Sequence, residues 1–417
     1  MIPADAKFEA LSAPSAEAGA RSRRWVERLT LTNFRSHAHL SLDVGPEPIV
    51  LTGPNGAGKT NLLEAISLLA PGQGLRRAPF PELARLGGDG GWAVNARLRT
   101  ATGLLEIGTG LAAGSNSAGG ERTTGRTVRI DRQTVSGSGV LADHVEMVWL
   151  LPAMDGLFTG PAGDRRRFLD RLILCFDPAY RTRLGQLERA MRQRNKLLEM
   201  PNSPANQLAS QLEGLELHMA ETGVAIAAAR LAIVDNLAGT IEQRRQADPD
   251  SPFPWSVLAI EGALEADLAG MPAVEVEDAY RARLRSGRDR DRAAGRTLDG
   301  PHRSDFAVMH GPKTMPARLC STGEQKALLI GLILAHAELL RQAGGSTRDK
   351  NQGGAAPILL LDEISAHLDS VRRGALFEEI IRLGAQAWMT GTDVDAYSPL
   401  HGRARFFTFD SGAVRPT

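Results

Sequence analysis

A mixed α/β fold built around one glycine-rich loop and carrying a helical second lobe is predicted by three stretches of this 417-residue chain. The first, residues 53–60, reads Gly53-Pro54-Asn55-Gly56-Ala57-Gly58-Lys59-Thr60 and meets the pattern G-x-x-x-x-G-K-T at every required position. The second, residues 358–363, is an apolar run ending in Asp362 and Glu363. The third is the change after Pro152 from short alternating runs to long helical periodicity.

The flanks of the loop carry its meaning. Ile49-Val50-Leu51 reads as a buried strand before it, and Leu62, Ile66 and Leu69 form one face of a helix after it. Between a strand and a helix N-terminus, backbone N–H groups and the helix dipole converge on a phosphate. Residues 53–61, Asn61 included, are therefore the expected ATP-binding segment. Lys59 would reach the β- and γ-phosphates, and the Thr60 hydroxyl would be a magnesium ligand.

Composition narrows the function classes. With 49 basic and 48 acidic side chains the net charge is +1, so a nucleic-acid partner would have to meet a local basic patch. Two cysteines, Cys175 and Cys320, give neither a disulfide framework nor metal-ligand spacing, as expected of a reducing cytoplasm. No uninterrupted apolar run approaches the ~20 residues that span a bilayer. The longest, residues 327–340, contains His336 and Glu338, so no membrane partner is expected. Residues 1–24 lack periodicity and read as a disordered extension, without the features of a signal or transit peptide.

Two strands, 26–32 and 40–44, are joined through Asn33-Phe34-Arg35-Ser36, and short alternating runs over 92–150 predict an antiparallel β layer. Beyond Pro152, residues 178–199 place Leu184, Leu187, Met191 and Leu198 at near-heptad spacing. Pro201 and Pro204 interrupt, and a longer helix follows with Leu208, Leu212, Leu215, Met219, Ile226, Ile233, Leu237 and Ile241 along one side. Arms of about 20 and about 40 residues would extend roughly 30 and 60 Å. An antiparallel coiled-coil hairpin and a pair of ordinary core helices both satisfy this pattern. A further helix through 275–293 carries Arg281, Arg285, Arg288 and Arg292 at one-face spacing. With Asp289 and Asp291 among them, a salt-bridged face and a DNA-contacting face are both open.

Two stretches complete the loop. A strand that delivers Asp362 beside it supplies a metal ligand, and Glu363 next in sequence is placed to act as general base on the attacking water. Cys320-Ser321-Thr322-Gly323-Glu324-Gln325 opens a helix that is apolar on nearly all sides and hence buried. Its S-x-G-x-Q pattern (Ser321, Gly323, Gln325) resembles the signature of ABC-type ATPases, in which the signature of one subunit closes on the phosphate held by the other's P-loop. Cys320 itself reads as a small buried hydrophobe.

Taken with residues 29–42 (LTLTNFRSHAHLSL), GQGLRRA at 72–78, GPAGDRRRFLDRLI at 160–173 and LDGPHRSDFAV at 298–308, the chain resembles the RecF family of bacterial DNA replication and repair ATPases, relatives of the SMC proteins. GLRRA and STGEQ resemble the alphaproteobacterial branch. The resemblance runs from about residue 28 to the C-terminus. It implies an ABC-type P-loop ATPase head, a mixed sheet plus antiparallel β layer, formed by residues 25–160 and 297–417. Residues 161–296 would be the helical lobe with its short coiled-coil hairpin. It further implies ATP and Mg2+ as cofactors, an ATP-dependent homodimer clamped on gapped DNA, and weak, DNA-stimulated hydrolysis that releases the clamp. RecR and RecO would be partners in loading RecA, in replication restart and the SOS response. Asp369 falls at the D-loop position.

The chain departs from the ABC pattern in three places. No His follows strand 386–392, where Thr390 or Thr392 would take part of its role; His367 and His401 are poor substitutes. The magnesium-sensing Gln has only Gln73 and Gln133 as candidates. Glu324 puts negative charge beside a phosphate site and needs an offset from Lys326 or Arg303. A transporter ATPase would hold fewer residues than the about 260 between P-loop and signature, and an SMC-like arm protein would need far more heptads.

Overall fold

The structure is a computed structural model describing residues 24–100, 102–114, 125–200, 205–343, 356–366, 368–410 and 413–417. In chain order, strands β1 (Trp25–Phe34), β2 (His37–Asp43) and β3 (Ile49–Thr52) lead into helix α1 (Lys59–Ser67). Strands β4 (Trp92–Thr100), β5 (Gly103–Leu111), β6 (Thr127–Ile130), β7 (Gln133–Val135) and β8 (Met147–Leu150) follow. The helical part comprises α2 (Ala162–Ile173), α3 (Tyr180–Leu198) and α4 (Ala205–Ala247), then β9 (Ser256–Glu261), α5 (Ala263–Leu268), α6 (Ala273–Ser286) and α7 (Arg288–Ala294). After β10 (Asp305–His310) and β11 (Met315–Pro316) come α8 (Thr322–Ala343), β12 (Ile358–Leu361), α9 (Ser370–Leu383), β13 (Ala387–Gly391), β14 (Arg405–Asp410) and β15 (Ala413–Pro416).

The central sheet has the order β15-β14-β3-β13-β12-β8, parallel throughout except for the β14–β15 pair. Strands covered on both faces read as continuous apolar runs, which is why Ile49–Thr52 and Ile358–Leu361 are buried at every position. Val50, Leu359, Leu361 and Met389 point into one core with α4 and α8. Ile49, Leu51, Leu360 and Trp388 point into another, shared with Leu62, Leu63 and Ile66 of α1 and Leu29 and Leu31 of β1. Helix α1 is thus held between the central sheet and an antiparallel layer of order β2-β1-β4-β5-β6-β7. Gln386 ties the two sheets: its side-chain amide donates to Val26 O (2.9 Å) and Gly45 O (2.7 Å) and accepts from Val26 N (2.9 Å).

Helix α4 settles the two readings of the hairpin by length. Along α3, Leu187 and Leu198 are buried and Leu184 and Met191 half-buried against α4, as a helical pair requires. From Met219 to Ile241 the same helix runs through the main core against α6, α8 and β9. Gly223 shows how close that packing is, since an added Cβ would lie 2.9 Å from the Tyr280 ring. The Pro201–Pro204 turn and the extension before residue 24 lie outside the described residues.

Two expectations need correction. Within Leu208–Ala247 an 18-residue window has a mean hydropathy of 1.5, apolar enough by length and composition to cross a membrane, although half of that window is buried within the fold. Scattered charges such as Glu216 and Arg230 break its apolar runs while the abundant Ala, Leu and Ile keep the average high. The helix expected through 275–293 is two helices, broken at Gly287. Strand β9 pairs with β10 from Glu261↔Asp305 to Ser256↔His310, so the helical part and the sheet that follows it share one core.

Candidate nucleotide site

The loop turns on glycines in left-handed backbone: Gly53, Gly56 and Gly58 have φ of 139°, 80° and 104°. A Cβ on Gly53 would lie 2.3 Å from Phe409 O, so only glycine fits between loop and strand β14. Lys59, at the first position of α1, is 4% exposed, and its Nζ donates to Gly53 O (2.6 Å) and Pro54 O (2.9 Å). Burial lowers its pKa, opposed by the charges of Glu363 and Asp362. A desolvated ammonium at a helix N-terminus, with the backbone N–H groups of a glycine-rich loop, is the donor set that a phosphate chain requires.

Parallel pairing places the ends of β3, β13 and β12 side by side, and there the acidic motif meets the loop. The Thr60 hydroxyl donates to Asp362 Oδ1 at 3.0 Å, and the Thr390 hydroxyl donates to the same oxygen at 2.7 Å. Glu363 takes a left-handed conformation (φ 48°), and its backbone N–H donates to Thr390 Oγ1 at 2.8 Å. Fully buried Thr390 therefore joins the metal-ligand candidate Asp362 to the general-base candidate Glu363, whereas Thr392 is exposed. Thr390→Val, of similar shape, should cost about 1–3 kcal/mol in urea unfolding by leaving these groups unpaired. Unchanged stability would remove Thr390 from the linkage.

Sequence reasoning placed the turn at residues 33–36 but missed its contacts with the loop and α1. Arg35 forms two hydrogen bonds to Glu64 (2.9 and 3.0 Å), a carboxylate wholly buried on the apolar face of α1. Ser36 Oγ accepts from Asn61 Nδ2 at 3.0 Å, and Asn61 Oδ1 accepts from Arg76 at 3.0 Å. His37 is buried against Gly58, and burial holds its imidazole below the usual pKa. A lone Glu inside NLLEAISLL was the available signal, because a buried acid requires a cation.

The signature segment is arranged as a capping box. Glu324 accepts from the backbone N–H (3.0 Å) and hydroxyl (2.9 Å) of Ser321, and Glu324 N donates to Ser321 Oγ at 3.4 Å. The expected offsets, Lys326 and Arg303, are not used. Lys313, presented by the β10–β11 turn, pairs with Glu324, whose pKa falls to about 2 through that bond and those from Ser321. Lys326 is instead buried, 3.6 Å from Asp155, and Arg303 is exposed. Gly323 has open space where a Cβ would be, while Gln325 is buried and donates to Cys320 O at 2.8 Å. Cys320 is itself buried.

Asp369 caps α9, accepting from Arg372 N at 2.8 Å. Gln73, Gln133 and His401 are exposed, and His367 lies outside the described residues. Among the described residues no three His, Cys, Asp or Glu side chains cluster as a metal site. Thr60 with Asp362 fits a magnesium ion shared with phosphate oxygens, the usual mode for that cation. Three of the four arginines of the proposed DNA face have partners within the chain. Arg288 bonds Glu216 at 2.9 and 2.5 Å, Arg292 bonds Leu198 O and Asp289, and Arg285 lies 3.3 Å from Glu213. Arg281 is exposed.

Residues 28–83 match the family model described as an AAA domain. The DNA replication and repair protein RecF of Mesorhizobium japonicum is 53% identical over 393 residues, covering 94% of this chain and 98% of that protein. RecF of Brucella abortus is 51% identical, covering 93% and 95% respectively. A solved structure of the recombination mediator protein RecF-ATPrS in the RecFOR pathway superimposes with a TM-score of 0.77 at 22% identity, covering 95% of this chain and 98% of that one. With relatives at this identity over nearly their whole length, the chain belongs to the RecF family of DNA replication and repair proteins.

Proposed function

We propose that this protein is a DNA-binding ATPase of recombinational repair and replication restart, in which ATP holds two copies together on DNA. The observation that carries the reading is the Thr60–Asp362–Thr390–Glu363 linkage, which would supply one side of a hydrolytic site from a single chain. Ser321 is exposed and bonds Glu324 of its own segment, and Gly323 has open space where a Cβ would be, which supports their use by a second copy. Residues 25–160 and 297–417 would form the ATPase head and 161–296 the helical lobe. Bound Mg2+ would neutralise charge between the phosphates; Lys59 holds the phosphate chain and Glu363 takes the proton from the attacking water.

Gapped duplex is the proposed DNA substrate, RecR and RecO the proposed partners, and the cytoplasmic nucleoid the proposed location. Hydrolysis would be weak and stimulated by DNA. The short α3–α4 pair and the match to full-length RecF relatives favour this reading over a transporter subunit or a long-armed structural protein.

Sedimentation with and without ATP, on duplex, single-stranded and gapped DNA, tests it. ATP should shift the protein to a dimer, and gapped DNA should be retained best; a monomer under all conditions would overturn the proposal. DNA affinity should also fall steeply with salt, by a log–log slope of about −0.9 per duplex phosphate neutralised. A flat dependence would exclude phosphate-led binding.

A further inference from the structure

A cavity of about 470 Å³ lies between the loop that follows α1, strand β8 and helices α2 and α3. Its walls are partly apolar, with Met147, Trp149 and Leu174, and it lies apart from the glycine-rich loop. Arg77, Arg171 and Arg181 line it, and Arg126 is buried behind Ala70 at its edge, donating to Ala70 O at 2.8 Å. Among the described residues none of these four guanidiniums has a carboxylate within 4 Å. Burial lowers the pKa of Arg126, Arg181 and Arg171, and repulsion adds to it, from Arg181 on Arg126 and from Arg77 on Arg181 and Arg171.

The acids of the lining do not neutralise this charge. Asp170 is occupied by Arg230 (2.9 and 3.1 Å) and the Tyr180 hydroxyl (2.6 Å), and Glu188 faces Arg192 at 3.8 Å. Glu146 lies 3.9 Å from Arg24, and burial raises its pKa. Three buried donors are also left over: Arg126 Nε, Arg171 Nε and Trp149 Nε1 have no hydrogen-bond partner. The Arg171 guanidinium is set over the Trp149 and Phe168 rings at 4.7 and 5.4 Å. Arg77 takes a left-handed backbone (φ 55°), unusual for a non-glycine residue. Arg77 and Arg181 are exposed at the mouth, so like charges at the rim and unpartnered donors behind them make the cavity favourable for an anion.

We propose that this cavity is a second phosphate-binding site, taking a nucleotide-sized phosphate ester distinct from the ligand of the glycine-rich loop. The volume falls within the ~300–1,000 Å³ of ligand pockets. Arginine forks supply the paired donors that a phosphate accepts, and the apolar wall suits a sugar or base.

Calorimetric titration of thymidine 3′,5′-bisphosphate into the full chain carrying Lys59→Ala, which disables the loop, tests the site. One molecule should bind per chain, with affinity reduced about tenfold or more by Arg181→Ala and by Arg171→Met. Should Arg171→Met lose its fold by circular dichroism, Arg181→Ala, which alters an exposed guanidinium, decides alone. A 5′-phosphorylated oligothymidylate that competes identifies a strand end as the source, and one that does not identifies a free nucleotide; either supports the site. No binding at millimolar probe, equal affinity in the folded arginine variants, or displacement by ADP would overturn it.

Discussion

Glu363→Gln is expected to slow ATP hydrolysis by about 10²–10⁴-fold, the usual contribution of a general base, while leaving ATP binding intact. The substitution keeps the size and much of the hydrogen-bonding shape of the side chain. The backbone that aims it, with φ 48° and its N–H held by Thr390, is also unchanged. What is lost is the ability to take a proton. Bound ATP then persists, so the variant should sediment as a long-lived dimer and leave DNA slowly. Single-turnover hydrolysis and sedimentation read the two effects separately. Turnover within a few-fold of wild type would remove Glu363 from the general-base role.

Lys59→Ala should have the opposite signature, because binding itself fails. Each charge-assisted hydrogen bond to a phosphate is worth about 1.5–3 kcal/mol, or about 10- to 150-fold in affinity. The protein should remain folded: the lost ammonium bonds only loop carbonyls and is held in a desolvated place that already lowers its pKa. Calorimetry should therefore show ATP affinity lost and thermal unfolding little changed. Sedimentation with ATP should show a monomer, and a dimer equal to wild type would refute the phosphate role.

The parts of the site that could be read from sequence are those set by local chemistry. The glycine-rich loop needs its three left-handed glycines, and the buried parallel strands need unbroken apolar runs, so both declare themselves in a few residues. The capping box at Ser321 and Glu324 was equally local, as S-x-x-E before an apolar helix. Its neutralising cation was not, because Lys313 arrives from a neighbouring turn. The arginine stripe misled for a related reason. Periodicity continues through RLRSGRDRD, but Gly287 ends the helix, and buried Glu216, 72 residues upstream of Arg288, draws Arg288 inward. Helix α4 was ambiguous because one periodic pattern serves both a two-helix pair and a core crossing.

The central claim is that each ATP site is divided between two copies, and mixing two inactive variants tests it most directly. Lys59→Ala removes the loop's grip, and Ser321→Arg blocks the signature helix start without touching the loop. In a shared-site dimer, a mixed pair carries both lesions in one site and leaves the other site wild type. Mixing equal amounts should therefore restore ATP hydrolysis that neither variant has alone, with one working site in each mixed dimer. A mixture no more active than the two variants measured separately would contradict the account, because it would place loop and signature in the same chain's site.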